Sequence, residues 1–150
     1  MSLQTDVMNA MKVAMKEKDQ TALAALRAIK SEILLAQTAS ESNEVMSSEE
    51  ELKILSKLVK QRKDSAAIFH QQNRNDLAEP ELAQAEVIAK FLPEQLSEDE
   101  IALVVESVIV EVKAEGMKDM GKVMGIVNKK LAGKADGKTI STIVKTKLMS

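Results

Sequence analysis

Cysteine, tryptophan and tyrosine are absent from the sequence, and phenylalanine occurs only twice. Without cysteine the chain can form neither disulfides nor thiolate metal sites. With only Phe69 and Phe91 available to stack on bases, the chain is poorly equipped to recognise single-stranded nucleic acid by stacking. Any nucleic acid would be bound through its backbone and shape. The core must be built from aliphatic side chains and the nine methionines.

Long apolar runs are also missing, and none approaches the roughly 20 residues that a membrane-spanning helix needs. The first residues show no basic segment followed by an apolar one, which a secretory signal would have. We therefore expect a cytoplasmic protein without a membrane partner. At 150 residues the chain is long enough to bury a core, either as one domain or as two small ones.

Glycine is confined to one end of the chain, and the charge changes sign there. All five glycines lie in the last 35 residues. Residues 116–150 carry eight lysines and two aspartates, a net charge of +6, whereas residues 1–115 carry −8. A basic end on an acidic body indicates a polyanion-binding part joined to a scaffold.

Apolar residues recur at helical spacing along nearly the whole chain, so the sequence predicts an all-α fold. Residues 1–92 are expected to form an N-terminal part of about four helices. The first ends near Lys18, and Asp19 can cap the second, which runs to about Gln37. The fourth ends before Pro93, because the residue that precedes proline disfavours the α conformation.

The third helix is predicted to be the longest, and capping-box patterns mark its start. Ser47 with Glu50 and Ser48 with Glu51 both fit such a box. A polar stretch rich in Ser, Asn and Glu, residues 38–46, precedes it and is predicted to be a linker.

Residues 97–150 are expected to form a separate C-terminal part, a small three-helix bundle. Ser97 and Glu100 fit another capping box at its start. Residues 103–112 are rich in β-branched side chains and could be mistaken for a strand. Strict alternation fails, however, and one helical face collects Ile101, Val104, Val105, Val108 and Val112, so we predict a helix. Gly116 is placed to cap the C-terminus of this helix.

The segment after that helix resembles a phosphate-binding P-loop, with Gly116, four residues, Gly121 and Lys122. The next position, which would supply a metal-binding hydroxyl, is Val123, and no strand precedes the first glycine. We therefore interpret Gly121 and Gly125 as positions of close helix packing. Two helices, about 118–131 and 138–148, are predicted here, joined by a glycine-flanked turn.

No catalytic group of residues is recognisable. His70 is the only histidine, and it lies beside glutamines on a polar helix end. We therefore expect no metal, no cofactor and no independent enzymatic activity.

The lysines of the basic end gather on one side of the predicted helices. At 100° per residue, Lys118, Lys122 and Lys129 lie within about 40° of one another, opposite the apolar positions. Lys134 and Lys138 belong to the glycine-flanked turn and the helix start that follows it. Charge alone leaves two interpretations open, ordinary solvated faces or a phosphate-binding surface. The scarcity of acidic residues favours the second, because soluble helix faces usually mix both signs.

Arg62 lies inside the apolar stripe of the third helix, between Leu55 and Phe69. A guanidinium removed from water needs a carboxylate and further acceptors, because its desolvation alone costs several kcal/mol. Glu81 and Glu86 of the fourth helix are the expected partners. We predict a buried ion pair that fixes the register of the two helices.

Several segments together resemble the YqeY family. They are Leu26-Arg-Ala-Ile-Lys30, Lys60-Gln-Arg-Lys63, Asn75-Asp-Leu77, Phe91-Leu-Pro-Glu-Gln-Leu96 and the signature from Gly116 to Gly137. The resemblance implies a free-standing relative of the tail domain of the tRNA-dependent amidotransferase, which belongs to its GatB chain. In that enzyme the tail contacts tRNA, and the chemistry occurs in another domain. The family label, a carbon–nitrogen ligase with glutamine as amido-N-donor, would then reflect association with the pathway.

Two functions follow from the residues and the resemblance. The first is a tRNA-binding or tRNA-metabolism accessory module whose lysines contact phosphates. The second is a protein–protein adaptor that docks on an aminoacyl-tRNA synthetase or an amidotransferase. Salt separates them, because phosphate contacts weaken steeply with ionic strength and an apolar contact does not.

Overall fold

The computed structural model describes residues 2–39 and 46–149, and every regular element within them is a helix. The all-α prediction is confirmed. The helices are α1 (Leu3–Glu17), α2 (Gln20–Ala39), α3 (Ser48–Gln71), α4 (Asn75–Ala89), α5 (Glu98–Val112), α6 (Met120–Lys130) and α7 (Gly137–Met149), with a 3-10 turn at Met117–Asp119 before α6. Residues 40–45, most of the predicted linker, lie outside the described residues.

The predicted helix starts are confirmed by their caps. The Asp19 side chain accepts a hydrogen bond from the backbone N–H of Ala22 at 3.0 Å. A capping box opens α3, in which Ser47 accepts from the N–H of Glu50, and the Glu50 carboxylate accepts from the N–H of Ser47. Of the two boxes that the sequence allowed, the structure therefore uses the first. Ser97 caps α5 in the same way.

The chain divides into two compact units, Met1–Leu92 and Pro93–Ser150. In the N-terminal unit, α1 packs on α2, α2 also contacts α3 and α4, and α3 and α4 form the most extensive helix pair. The main core of this unit includes Leu26, Ile29, Leu55 and Ile88, each at most 2% exposed.

In the C-terminal unit, α5, α6 and α7 each contact the other two. The fully buried residues between them are all aliphatic. They are Ile101, Val105, Val108, Val123, Val127, Leu131, Ile140 and Val144. The valine-rich segment is helical, as predicted, and Ile101, Val105 and Val108 face this core at helical spacing.

Methionine contributes less to both cores than the sequence suggests. Every buried side chain among the described residues belongs to alanine, valine, leucine or isoleucine. Met11 packs partly buried against the N-terminal core, whereas Met8 and Met15 are 45% and 54% exposed. The expectation that methionines fill the core was therefore wrong for the first helix, where two of the three face water.

The predicted role of Gly116 was also wrong. Helix α5 ends at Val112, and Lys113 adopts the left-handed conformation that closes it, with φ 55° and ψ 46°. The backbone N–H of Ala114 then bonds to the carbonyl of Ile109 at 3.0 Å. Gly116 follows in extended backbone, with φ 164°, which any residue can adopt.

Arg62 does not form the predicted ion pair. The side chain is only half-buried. Its Nε donates to Oε1 of Gln84 at 3.1 Å, and Nη1 donates to the carbonyl of Leu58 at 3.3 Å. Glu81 is half-buried and Glu86 is exposed, and neither pairs with Arg62 in the part of the chain that the structure describes. Neutral acceptors suffice because part of the guanidinium remains in water.

This arrangement sets the stability cost of removing Arg62. Arg62→Ala is expected to lower the free energy of unfolding by about 1.5–3 kcal/mol, the range for a hydrogen bond to a charged group. Urea unfolding followed by circular dichroism measures it, with the exposed neighbour variant Lys63→Ala as the control, expected within about 0.5 kcal/mol of wild type. A loss of about 3–5 kcal/mol would instead reveal a carboxylate left unpaired inside the protein.

Candidate nucleic-acid interface

Helix α6 separates its apolar residues from its lysines. Val123 and Val127 are fully buried, whereas Lys122 and Lys129 are exposed. These two lysines are seven residues apart, so they lie within about 20° of one line along the helix. The structure thus places both predicted lysines on one solvent-facing side of α6.

Three other lysines of the basic end are held by carboxylates. Nζ of Lys118 lies 2.9 Å from Oε2 of Glu115, and Nζ of Lys130 lies 3.3 Å from Oε2 of Glu111. Lys147 pairs with Glu106 of α5. The basic end therefore has more counter-charge than its own two aspartates suggest, because the preceding segment supplies it. Such exposed pairs contribute about 0–1 kcal/mol each, so a phosphate can compete for these lysines.

The backbone of Lys118 also differs from the predicted one, which was the first turn of a helix over about residues 118–131. It lies in the 3-10 turn Met117–Asp119 and not on α6. The angle calculated for a continuous helix therefore does not apply to it. Asp119 helps to hold this turn in place, because its carboxylate accepts a hydrogen bond from the N–H of Glu115 at 2.9 Å.

Lys134 lies in the turn between α6 and α7, where its backbone is bonded at both ends. Its N–H donates to the carbonyl of Leu131, and its carbonyl accepts from the N–H of Leu96, both at 2.9 Å. Gly133, just before it, has a φ of 75°, a left-handed conformation that favours glycine. The exposed Lys134 side chain therefore projects from a well-fixed backbone.

Gln95 is a residue of this site that the sequence did not reveal. Its Nε2 donates to the carbonyl of Gly133 at 2.7 Å and to the carbonyl of Pro93 at 2.9 Å. The sequence offered only its place in the Phe91–Leu96 motif as a signal, and that motif was interpreted as a boundary.

Helix α7 begins beside the turn and carries the remaining lysines. Lys138 is the second residue of α7, and Lys145 follows seven residues later; both are exposed. Ile140 and Val144 lie on the opposite, buried side. In the described residues, no ion pair engages Lys122, Lys129, Lys134, Lys138 or Lys145.

The prediction that Gly121 and Gly125 serve close helix packing was wrong. Both lie on α6 in exposed positions, and a Cβ placed on either would meet nothing within 4 Å. Gly125 lies about 40° from Lys129 and about 60° from Lys122 around the helix. The glycines therefore share the solvent side of α6 with the lysines.

The tip of the α3–α4 hairpin holds a second polar cluster, distinct from the lysines. Nε and Nη2 of Arg74 donate to the two oxygens of Asp76 at 3.1 and 3.0 Å. This contact lowers the pKa of Asp76 and raises the pKa of Arg74. Nδ1 of His70 lies 2.7 Å from Oδ1 of Asn75. The cluster joins the end of α3 to the start of α4, which gives it a structural role at the hairpin tip.

Groups of side chains typical of metal sites, and helices fit to cross a bilayer, were sought throughout residues 2–39 and 46–149. No three His, Cys, Asp or Glu side chains there are grouped to hold a metal ion. None of the helices there combines the length and hydropathy that a bilayer crossing requires. The segment that resembles a P-loop follows helix α5 rather than a strand.

Comparison with known proteins yields one family and several relatives. A family model described as "Yqey-like protein" matches residues 4–148. The E chain of the glutamyl-tRNA(Gln) amidotransferase of Thermococcus gammatolerans is 38% identical over 73 residues, which is 46% of this chain and 12% of that protein.

Two further relatives are both named altered inheritance of mitochondria protein 41, mitochondrial. The one from Clavispora lusitaniae is 40% identical over 84 residues, 53% of this chain and 49% of that protein. The one from Pyrenophora tritici-repentis is 33% identical over 136 residues, 89% of this chain and 71% of that protein. The chain therefore spans less than two-thirds of the amidotransferase chain and of the Clavispora protein.

The open surroundings of the α6 glycines lead to a stability prediction. Gly121→Ala and Gly125→Ala are each expected to raise the free energy of unfolding by about 0.5–1 kcal/mol, because alanine favours the helix and its Cβ meets nothing. Gly133→Ala is the matched control and is expected to destabilise, since alanine resists a positive φ. Denaturant unfolding of the three variants measures these effects. Destabilisation by either α6 variant would show that the added methyl group meets neighbouring atoms after all.

Proposed function

The chain belongs to the YqeY-like family, and we propose that it is a non-catalytic tRNA-binding or tRNA-metabolism accessory module. The surface that binds the phosphates comprises Lys122 and Lys129 of α6, Lys134 of the turn and Lys138 of α7, with Lys118 beside them. We call this set the lysine surface. The observation that carries the proposal is that the first four of these lysines are exposed and outside the ion pairs that the structure describes.

Electrostatics support a polyanion as the ligand. Glu106, Glu111 and Glu115 engage Lys147, Lys130 and Lys118. The five other lysines of residues 116–150 outnumber Asp119 and Asp136, the acidic residues of that segment. A lysine that meets a phosphate displaces a condensed counterion, and this release drives association. A neutral partner would gain nothing from that release.

The α6 glycines support a backbone-reading mode. A helix that carries Gly121 and Gly125 among lysines lets a phosphodiester backbone approach the helix backbone closely. Bases need not be read, and the two phenylalanines of the chain offer little stacking surface. Sequence preference is therefore expected to be slight, with recognition by shape.

The relatives point to the same class of ligand. One of them is named as part of an amidotransferase that acts on glutamyl-tRNA(Gln), and the matched segment is a small part of it. The chain would act as a separate version of such a segment, and the ligase label of the family would remain with the larger enzyme. The cytoplasm is the expected compartment, although two relatives are named as mitochondrial proteins.

Titration of labelled tRNA across salt concentrations tests the lysine surface. For wild type, the logarithm of affinity is expected to fall linearly with the logarithm of salt concentration. Lys122→Ala/Lys129→Ala/Lys134→Ala is expected to reduce that slope by roughly two to three units, just under one for each lost phosphate contact. The control Lys12→Ala/Lys16→Ala/Lys30→Ala removes the same charge from the N-terminal unit and is expected to keep the slope. Equal slopes for both variants would exclude the lysine surface.

A second function, the protein–protein adaptor, is favoured by one observation on α5. Leu103 and Val110 are 66% and 77% exposed, and they lie two turns apart on one side of the helix. Exposed apolar side chains are common singly, but a pair at helical spacing offers two anchors for a partner helix. The partner would be an aminoacyl-tRNA synthetase or an amidotransferase.

The adaptor function is tested by sedimentation of the purified chain with either enzyme. Leu103→Ser/Val110→Ser is expected to abolish the complex, and binding is expected to change little between low and high salt, because the contact is apolar. Leu35→Ser, at a similarly exposed position of α2, is the control. Binding that persists in the α5 variant would remove this face from the adaptor hypothesis.

A further inference from the structure

Gln95 connects two segments that are far apart in the sequence. One amide group, Nε2, donates to the carbonyl of Pro93 at 2.9 Å and to the carbonyl of Gly133 at 2.7 Å. Gln95 and Gly133 are separated by 38 positions. The side chain is exposed and therefore does not pack in the core. Its amide is used for these two hydrogen bonds.

The same segment makes a second connection one residue later. The N–H of Leu96 donates to the carbonyl of Lys134 at 2.9 Å. The carbonyls of Gly133 and Lys134, two successive residues, are thus both held by Pro93–Leu96. Since the N–H of Lys134 bonds to Leu131, the turn is fixed from both sides, and the Lys134 side chain starts from one defined position.

We propose that Gln95 is a positioning residue for phosphate binding, acting through Lys134. The inference rests on the proposed function, because it concerns the lysine surface. Ordering a mobile turn costs backbone freedom, and this cost offsets the gain from the Lys134–phosphate contact, so that the contact is made only when the turn is already fixed. Gln95 carries no charge and does not touch the ligand. Its effect is to order the backbone from which Lys134 reaches the phosphate.

Thermodynamic linkage gives this arrangement a second consequence. If the Gln95 bonds favour phosphate binding, phosphate binding must strengthen the Gln95 bonds by the same free energy. These bonds hold Pro93–Leu96, which opens the C-terminal unit. Hydrogen exchange at the Leu96 amide is therefore expected to slow when tRNA is added.

The salt slope of tRNA binding separates positioning from a general structural role. Gln95→Ala removes no charge, so a variant that binds through the same lysines would keep the wild-type slope. If Lys134 no longer reaches its phosphate, the slope falls by just under one unit, as it does in Lys134→Ala. The double variant Gln95→Ala/Lys134→Ala is expected to show the same slope as Lys134→Ala, because both changes remove the same phosphate contact. The slope reductions of Gln95→Ala and Lys122→Ala are expected to add, because Lys122 lies on α6 outside the turn.

Gln95→Glu supplies a pH profile as an independent readout. Its carboxylate faces two carbonyls and cannot donate, so tRNA binding is weakened at neutral pH. Protonation restores one O–H donor, so affinity relative to wild type is expected to recover as pH falls toward about 4.3, the usual pKa of glutamate. Glu94 is the charged neighbour of Gln95 in the sequence, and Lys134 and Asp136 are the charged residues that follow Gly133. They are present in both proteins, so the ratio to wild type isolates position 95.

The outcomes distinguish the two proposals. If wild type binds tRNA and Gln95→Ala keeps the full slope, the positioning role is wrong and the lysine surface stands. If wild type does not bind tRNA, the proposed function fails, and the positioning role fails with it. If Gln95→Ala loses helicity, the test uses folded Gln95→Glu instead. Recovery of its tRNA affinity relative to wild type at acid pH supports the inference, and an affinity ratio that does not change with pH overturns it.

Discussion

Burial of one aliphatic core determines where every charge of the C-terminal unit lies. Val105, Val108, Val123, Val127 and Val144 have no exposed surface, and each comes from a helix that touches the other two. Rotation of any of these helices about its axis would move a valine into water, at roughly 1.5–3 kcal/mol for a whole side chain. The lysines are therefore held outside by the valines behind them.

The carboxylates of the preceding segment divide the lysines into two groups. Glu106, Glu111 and Glu115 hold three of the eight in residues 116–150. No ion pair among the described residues engages the other five, which are Lys122, Lys129, Lys134, Lys138 and Lys145. The unpaired lysines occupy α6, the turn and α7. Charge that sums to zero over residues 93–150 is therefore locally separated, and local separation is what attracts a polyanion.

Sequence reasoning succeeded where a rule depends on neighbours along the chain. The boxes at Ser47 and Ser97 involve residues three positions apart, so propensity and spacing suffice to predict them. The helix prediction for the valine-rich segment succeeded for the same reason, since its periodicity is local. The buried sides of α6 and α7 followed from the same 3.6-residue period.

The predictions that failed depend on tertiary packing, which local sequence patterns do not show. Arg62 was placed correctly on its stripe, yet the choice between Gln84 and Glu81 depends on the rotation of α4, which tertiary packing sets. The left-handed residue after α5 is Lys113 rather than the nearby Gly116, because the chain turns where the core ends. The Gln95 bonds join segments 38 positions apart, and no local pattern announces them.

The composition of the two cores has a consequence for redox chemistry. Thiols are absent from the whole sequence, and no thioether or aromatic ring is among the buried residues that the structure describes. Oxidation to methionine sulfoxide makes a side chain polar and disrupts a core that contains it. Here the thioethers most open to oxidants, those of Met8, Met15, Met117 and Met149, lie 42–67% exposed. An oxidant would therefore modify the surface of this protein first, and the fully buried side chains that the structure describes offer it no sulfur.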